Sequence, residues 1–295
     1  LSGFEDKQTQ MLLSGMHYLK KSGLPTIKPL LPLFLALRGK PYSINRYFPF
    51  EPFFRTRLPQ RSLLRTARQV SKSSSFAAQG IVFSNCNPYF STLYITPLFE
   101  MIRRFSQGYV KQFLDESPVK RLFSGSTTVN SVLRRTFLNK SSMTFSFAFL
   151  DAERTRGINA DANYIDEVQE MNWDFLDVIH ETLSGSEDWG LIRYAGTPKS
   201  LENTIEKLWL ESSQGEWATK CPHGGCGHWN VPSIGRDLDA MIGPAHDMVS
   251  DKCPGTLCAL CQKPIDPSTG RWIHEFGDRR WDFPGYHVPQ LIMPM

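Results

Sequence analysis

Two stretches of this chain carry residue types whose spacing could handle a triphosphate. The first is Thr66-Ala67-Arg68-Gln69-Val70-Ser71-Lys72-Ser73, which follows the apolar pair Leu63-Leu64 and precedes a helix-like run from Ser74 to Phe83. A strand, a tight loop ending in Lys-Ser and then a helix is the layout of a phosphate-binding loop. In such a loop backbone N–H groups and the helix N-terminus surround phosphate oxygens, the lysine neutralises the β- and γ-phosphates, and the hydroxyl holds Mg²⁺. The match to Gly-x4-Gly-Lys-Ser/Thr is partial, because Thr66 and Ser71 stand where the glycines belong. Glycine is usual there since the loop needs φ > 0 and a close backbone approach. Taken alone, Lys-Ser-Ser at a helix start also reads as an ordinary capped helix. The second stretch is Tyr164-Ile165-Asp166-Glu167, an apolar strand end followed by two acids. Beside a metal and a triphosphate, one such acid holds Mg²⁺ and the next polarises the attacking water. Away from one, the same residues are a solvated acidic turn.

Ala195-Gly196-Thr197-Pro198 closes another strand candidate. A hydroxyl in that turn can sense a γ-phosphate and relay hydrolysis to a neighbouring domain; a proline-stopped turn is the plain alternative. A different chemistry follows. Of six cysteines, five fall after Thr219. Cys221 and Cys226 form one close pair and Cys258 and Cys261 another, about 30 residues on, a spacing that suits a tetrahedral S₄ zinc site of the structural kind. His223, His228 and Cys253 are competing ligands, and unligated thiols are the alternative.

The elements that must position these residues follow from periodicity. Ser91 to Thr96, Met143 to Phe149, Asn163 to Ile165 and Leu191 to Ala195 read as strands, and Leu98 to Leu114 as one helix with Met101, Ile102, Phe105, Tyr109 and Phe113 on its apolar side. Strands separated by helices imply a parallel, doubly wound sheet, which binds ligands at the C-terminal strand ends, where Lys72, Asp166 and Gly196 would fall. Residues 1–60 are rich in proline and aromatics and read as an N-terminal arm, either a lid stacking on a base or a packed arm. Residues 61–215 form the core, ending in a helix. Residues 216–295 are a small Cys-rich subdomain with a return segment.

With 295 residues, 41% hydrophobic, 21% charged and a net charge of +4, the composition is that of a globular chain, mildly basic. The longest apolar run, Ile27 to Leu37, is broken by prolines and Lys28 and is too short to span a bilayer. No signal-peptide pattern opens the chain. It begins with Leu and stops in an apolar run, which suggests a piece of a longer protein.

Arg68-Gln69-Val70-Ser71-Lys72-Ser73, Arg156-Gly157 before Ile165-Asp166-Glu167-Val168-Gln169, and Gly196-Thr197-Pro198 together resemble the ATPase domain of tailed-phage large terminase subunits. The resemblance runs from about Phe50 to Ser213, and the family's loop typically reads Arg-Gln-x-Gly-Lys-Ser/Thr, so Ser71 is the main departure. It implies a P-loop NTPase fold of the RecA-like/ASCE kind, with a mostly parallel sheet between helices. It also implies ATP and Mg²⁺ as ligands beside structural Zn²⁺. By the same resemblance Gln69, Ser71, Lys72, Ser73 and Asp166 would bind nucleotide, with Ser73 and Asp166 on Mg²⁺. Glu167 would activate water and Arg68 would stabilise transition-state charge in cis. Gly196, Thr197 and Pro198 would couple hydrolysis to movement. The implied partners are double-stranded DNA, the portal protein, the small terminase subunit and further copies in a ring, without membrane, in the host cytoplasm during virion assembly.

Terminases usually carry an acidic two-metal nuclease. The tail from Trp272 has no such cluster, Asp278 and Asp282 reading as a surface turn, so a nuclease is expected beyond residue 295. Arg103, Arg104, Lys111, Lys120, Arg121, Arg134 and Arg135 are basic residues that could track phosphates, and each also suits a plain solvated surface. Two rival functions stay open. One is a helicase-like ATPase with a zinc ribbon, the other a non-hydrolysing, zinc-dependent nucleic-acid binding module.

Overall fold

The computed structural model describes residues 26–55, 58–117, 131–148, 152–242 and 256–293. Their main feature is a ten-stranded sheet. In chain order the strands are β1 (Arg61–Thr66), β2 (Ser91–Thr96), β3 (Arg134–Thr136), β4 (Ser142–Phe147), β5 (Ala162–Ile165), β6 (Leu191–Gly196), β7 (Gly215–Lys220), β8 (Trp229–Asn230), β9 (Arg271–His274) and β10 (Gly285–Val288). Across the sheet they run β8-β7-β10-β1-β6-β5-β2-β4-β3, with β9 also paired to β7. Neighbours from β10 through β4 are all parallel; β3, β8 and β9 attach antiparallel at the margins.

The central parallel strands β1, β2, β5 and β6 carry apolar residues on both sides because helices cover both faces. Leu64, Tyr94, Tyr164 and Ala195 point into one buried core, whereas Leu63, Leu93, Ile95, Ile165 and Tyr194 point into the other. The first core is filled by helix α1 (Lys72–Cys86) and by α2 (Phe99–Phe105) with its continuation. The second is filled by α4 (Phe175–Glu181) and α5 (Thr204–Glu211). Helix α1 is buried nearly all round, with the sheet on one side and the N-terminal arm on the other. Phe76 meets Tyr164 edge-on at 5.2 Å, and Gln79 Nε2 donates to Phe53 O.

The expected helix over Leu98–Leu114 is divided. Helix α2 passes into a π-helical turn, Ser106–Val110, before α3 (Lys111–Glu116). Arg135 of β3 supplies a physical reason: it is 3% exposed, and its Nη2 donates to Ser106 Oγ at 3.2 Å, at the first residue of the π turn. Arg135 is therefore neither a phosphate-tracking nor a solvated surface charge, as the sequence suggested. Arg103, Arg104 and Arg134 are exposed, and so is Lys111, which is ion-paired to Asp115; Lys120 and Arg121 lie outside the described residues.

The aromatic arm packs as core. Phe50, Phe53 and Phe54 are at most 3% exposed. The sheet also runs across the boundary expected after residue 215, since β7 starts at Gly215 and the return segment is β10, laid between β7 and β1. At that junction backbones crowd together. A Cβ on Gly215 would stand 2.6 Å from Gly285 O and 2.8 Å from the His274 ring, so only glycine fits. His274 Nδ1 lies 2.7 Å from Ser213 Oγ. Burial, reinforced by Arg280 and Arg55, lowers its pKa from the ordinary 6.5 to about 4. The unfolded chain thus binds the proton more readily, and this contribution to stability is full above pH 6.5 and lost as pH falls toward 4. His274→Gln should flatten that part of the acid limb, measured as Tm against pH; parallel wild-type and variant curves would refute it.

Candidate nucleotide cleft and cysteine cluster

The C-terminal ends of β1, β5 and β6 bring the chemically promising residues together. Between β1 and α1 the loop Ala67–Ser71 turns tightly, with Gln69 at φ 61° and Ser71 at φ 67°, both left-handed. The register is fixed from outside the loop, because Ala67 N donates to Val288 O of β10 at 2.9 Å. Ser71 occupies the conformation that favours glycine and makes no side-chain capping bond to the helix. Its Cβ costs about 1–2 kcal/mol there, against about 0.5–1 kcal/mol that glycine loses in chain entropy. Ser71→Gly should therefore match or exceed the wild type in denaturant stability, and Ser71→Val should fall clearly below it; the reverse ranking would contradict this account.

Lys72 and Ser73 open α1 and meet the acids at the end of β5. Lys72 Nζ lies 3.0 Å from Asp166 Oδ1 and 2.5 Å from Glu167 Oε1. Burial alone would lower the ammonium pKa, but Asp166 and then Glu167 outweigh it and hold it above the ordinary 10.5. Ser73 Oγ donates to Asp166 Oδ2 at 3.1 Å, and Tyr94 OH donates to the same oxygen at 2.8 Å. Burial, then Asp166, drives the Tyr94 phenol pKa well upward, so it stays a neutral donor. Tyr94 sits on β2 next to β5, paired with Tyr164, a neighbour that only register reveals.

Glu167 is left-handed too, at φ 55°, which turns the chain sharply after the strand. Gln169 Nε2 donates to Glu167 Oε2 at 2.6 Å, and Thr197 N donates to Gln169 Oε1 at 3.1 Å. Gly196 ends β6 directly beneath that amide. A cleft of about 730 Å³ opens over these groups, within the range of ligand sites. Its walls include Arg68, Met101, Arg104, Tyr109 and Lys199. Arg104 and Tyr109 escaped the sequence as cleft residues: Tyr109 lies within the π turn, and Arg104 looked like a surface base. None of the described residues between 45 and 60 lines this cleft.

The donor set fits the expected ligands. Ser73 Oγ and Asp166 Oδ2 share one corner and are hard oxygens of the type Mg²⁺ takes. The cysteines form a separate cluster. The Sγ atoms of Cys221, Cys226, Cys258 and Cys261 all lie within 4.8 Å of one another, with Cys221–Cys261 at 3.6 Å and Cys226–Cys258 at 3.7 Å. A tetrahedron with Zn–S of about 2.3 Å has edges of about 3.8 Å, so four thiolates in this arrangement can hold a metal. Of the competing ligands, His223 Nε2 contacts Pro264 O and His228 Nε2 contacts Asp237 Oδ1, both outside the cluster. Cys253 lies outside the described residues.

A β-strand, a left-handed turn and a Lys-Ser helix start, with an acidic pair two strands away, give a P-loop fold of the RecA-like type. More particularly, the chain has the fold of phage large-terminase ATPase domains. The large-terminase ATPase domain of Thermus phage P74-26 matches 90% of this chain and 85% of its own, with a TM-score of 0.50 at 15% identity. The large terminase of bacteriophage HK97 matches 63% of this chain with a TM-score of 0.50 at 14% identity, and 40% of its own chain is covered. No protein-family model matches the sequence, and no curated protein matches it.

Proposed function

We propose that this chain is the ATPase of a DNA-packaging motor, a large terminase that hydrolyses ATP to drive double-stranded viral DNA into a procapsid. The observation that carries this reading is the convergence of Lys72, Ser73, Asp166 and Glu167 at one end of a terminase-type sheet. A triphosphate brings more negative charge than two carboxylates and competes with them for Lys72 Nζ, which then binds β- and γ-phosphate oxygens. The loop N–H groups and the α1 N-terminus hold the remaining oxygens, with Gln69 and Ser71 shaping that cradle. Ser73 and Asp166 hold Mg²⁺, which supplies charge neutralisation at the phosphates. Freed from Lys72, Glu167 orients a water molecule and takes its proton as the water oxygen bonds to the γ-phosphorus. The bond to the bridging oxygen breaks and its electron pair leaves with ADP. Arg68, exposed and lining the cleft, would meet charge on the γ-phosphate in the transition state. Gly196-Thr197-Pro198 passes the change onward.

The four cysteines hold Zn²⁺ structurally, since four thiolates leave no open position. In this reading the arm is residues 1–60, the core 61–215 and the zinc-bearing part with its return strand 216–295. The partners are DNA, portal, small subunit and further copies in a ring, in the host cytoplasm during assembly. The test is Mg²⁺-dependent ATP hydrolysis by the chain, alone and then with double-stranded DNA and portal. Turnover that rises with both supports the motor. Strand separation would favour a helicase, and nucleotide binding without turnover under every condition would favour a binding module.

A further inference from the structure

The acid Glu167 and the turn at Thr197 belong to different strands, yet one side chain touches both. Gln169 is 8% exposed and lies on the one-turn 3-10 segment Val168–Glu170, just past the left-handed Glu167. Its amide bridges Glu167 Oε2 at 2.6 Å and the Thr197 backbone N–H at 3.1 Å. The amide can face only one way, since a carboxylate only accepts and a backbone N–H only donates. Gly196 is shaped to this contact. A Cβ built there would stand 2.1 Å from Gln169 Oε1 and 3.0 Å from Ile205 Cδ1, although the backbone at Gly196 is ordinary strand. The glycine is thus required by the approach of the glutamine and not by its own φ.

We infer that Gln169 is a positioning residue that ties the carboxylate of Glu167 to the backbone of Gly196-Thr197, so that the aim of the water-activating acid and the conformation of the turn are set together. This rests on the ATPase reading of the cleft. The chain of contacts is continuous. Lys72 Nζ holds Glu167 Oε1, Gln169 holds Glu167 Oε2, and Gln169 holds Thr197 N. When Lys72 exchanges its carboxylates for phosphate, Glu167 keeps one fixed anchor, and that anchor is the turn. Any shift of the acid is delivered to Thr197 through a single rigid amide, and any shift of the turn re-aims the acid. Loss of the amide leaves Lys72, Ser73 and the loop intact, so nucleotide binding should survive while the chemical step suffers.

The experiment is steady-state ATP hydrolysis by the full chain and five variants, with Tm measured for each. Gln169→Met keeps the shape and removes both polar contacts. Gln169→Glu keeps the acceptor for Thr197 N–H and removes the donor to Glu167. Both should lower kcat at least tenfold with KM for ATP within twofold of the wild type, a split that a merely structural role would not give. Gly196→Ala should also lower kcat, by pushing the amide aside, and Gln169→Ala/Gly196→Ala should be no slower than Gln169→Ala alone. Wild-type kcat in Gln169→Met, or fully additive losses in the double variant, would overturn the inference while leaving the ATPase standing. Absence of turnover in the wild type, with DNA and portal present, would remove the ATPase reading and this inference with it.

Discussion

Glu167→Gln should lower ATP turnover by roughly 10²- to 10⁴-fold, the range for removal of a general base, while nucleotide still binds. The glutamine fills the same space and can still accept from Gln169, but it cannot take a proton from water. Lys72→Ala should lower turnover by at least 10²-fold, the scale of losing one preorganised charge-stabilising donor, and should weaken nucleotide binding as well. It also leaves Asp166, 3% exposed at its side chain, and Glu167 without their cation. The two variants therefore differ in kind: the first keeps affinity and loses rate, the second loses both. Hydrolysis rates and titrations with a fluorescent nucleotide separate them. Unchanged turnover in Glu167→Gln would mean that another group activates water and that the roles assigned to the β5 end are wrong.

The second large effect concerns the cysteines. Around Cys221 and Cys258 the buried apolar set among the described residues is small, with Met241 and Ile265 as its other members. A metal held by the four thiolates would help to offset the ordering of the loops around so small a core. The chain should carry one zinc per molecule, and chelation or Cys258→Ser should unfold this part first. The cluster is also tied to the candidate cleft. Leu291 packs on it and Leu291 O accepts from Thr256 Oγ1 at 3.1 Å, three residues beyond Val288, whose carbonyl holds Ala67 at the start of the phosphate loop. Structural zinc in small fingers is worth about 10–16 kcal/mol. If a third of that reaches the fold, a fall in Tm of roughly 7–20 °C follows at 2–4 °C per kcal/mol. Metal analysis and thermal melts of wild type and Cys258→Ser decide the matter, with Cys86→Ala as the variant whose metal content should not change. An unaltered Tm in a metal-free chain would dismiss the zinc.

Much of this was legible in local pattern. Ser91–Thr96 was bounded correctly because its β-branched and aromatic run stops at Pro97, and the strand expected over Leu191–Ala195 runs one residue further, to Gly196, before the Thr-Pro turn ends it. What escaped was non-local. Nothing in Gly285–Val288 says that its partner is β1, since pairing is chosen by the whole sheet. Arg135 looked like any surface base, and only its contact with Ser106 marks it as the companion of a π turn. Tyr94 gave no sign of holding Asp166. The proline-rich aromatics before residue 60 have one composition whether they cover a ligand or fill a core, and their side chains fill the core.

The placement of β10 has a consequence for the order in which the molecule can be made. Its four residues sit between β1 and β7, more than two hundred residues after β1 leaves the ribosome, and contacts so distant in sequence close late. Until they arrive, β1 has an open edge and the phosphate loop lacks its tether at Ala67. The cysteine cluster lies within that interval, so the nascent chain has the means to fasten its own excursion before the last strand is inserted. Assembly of the cleft thus waits on residues that do not line it.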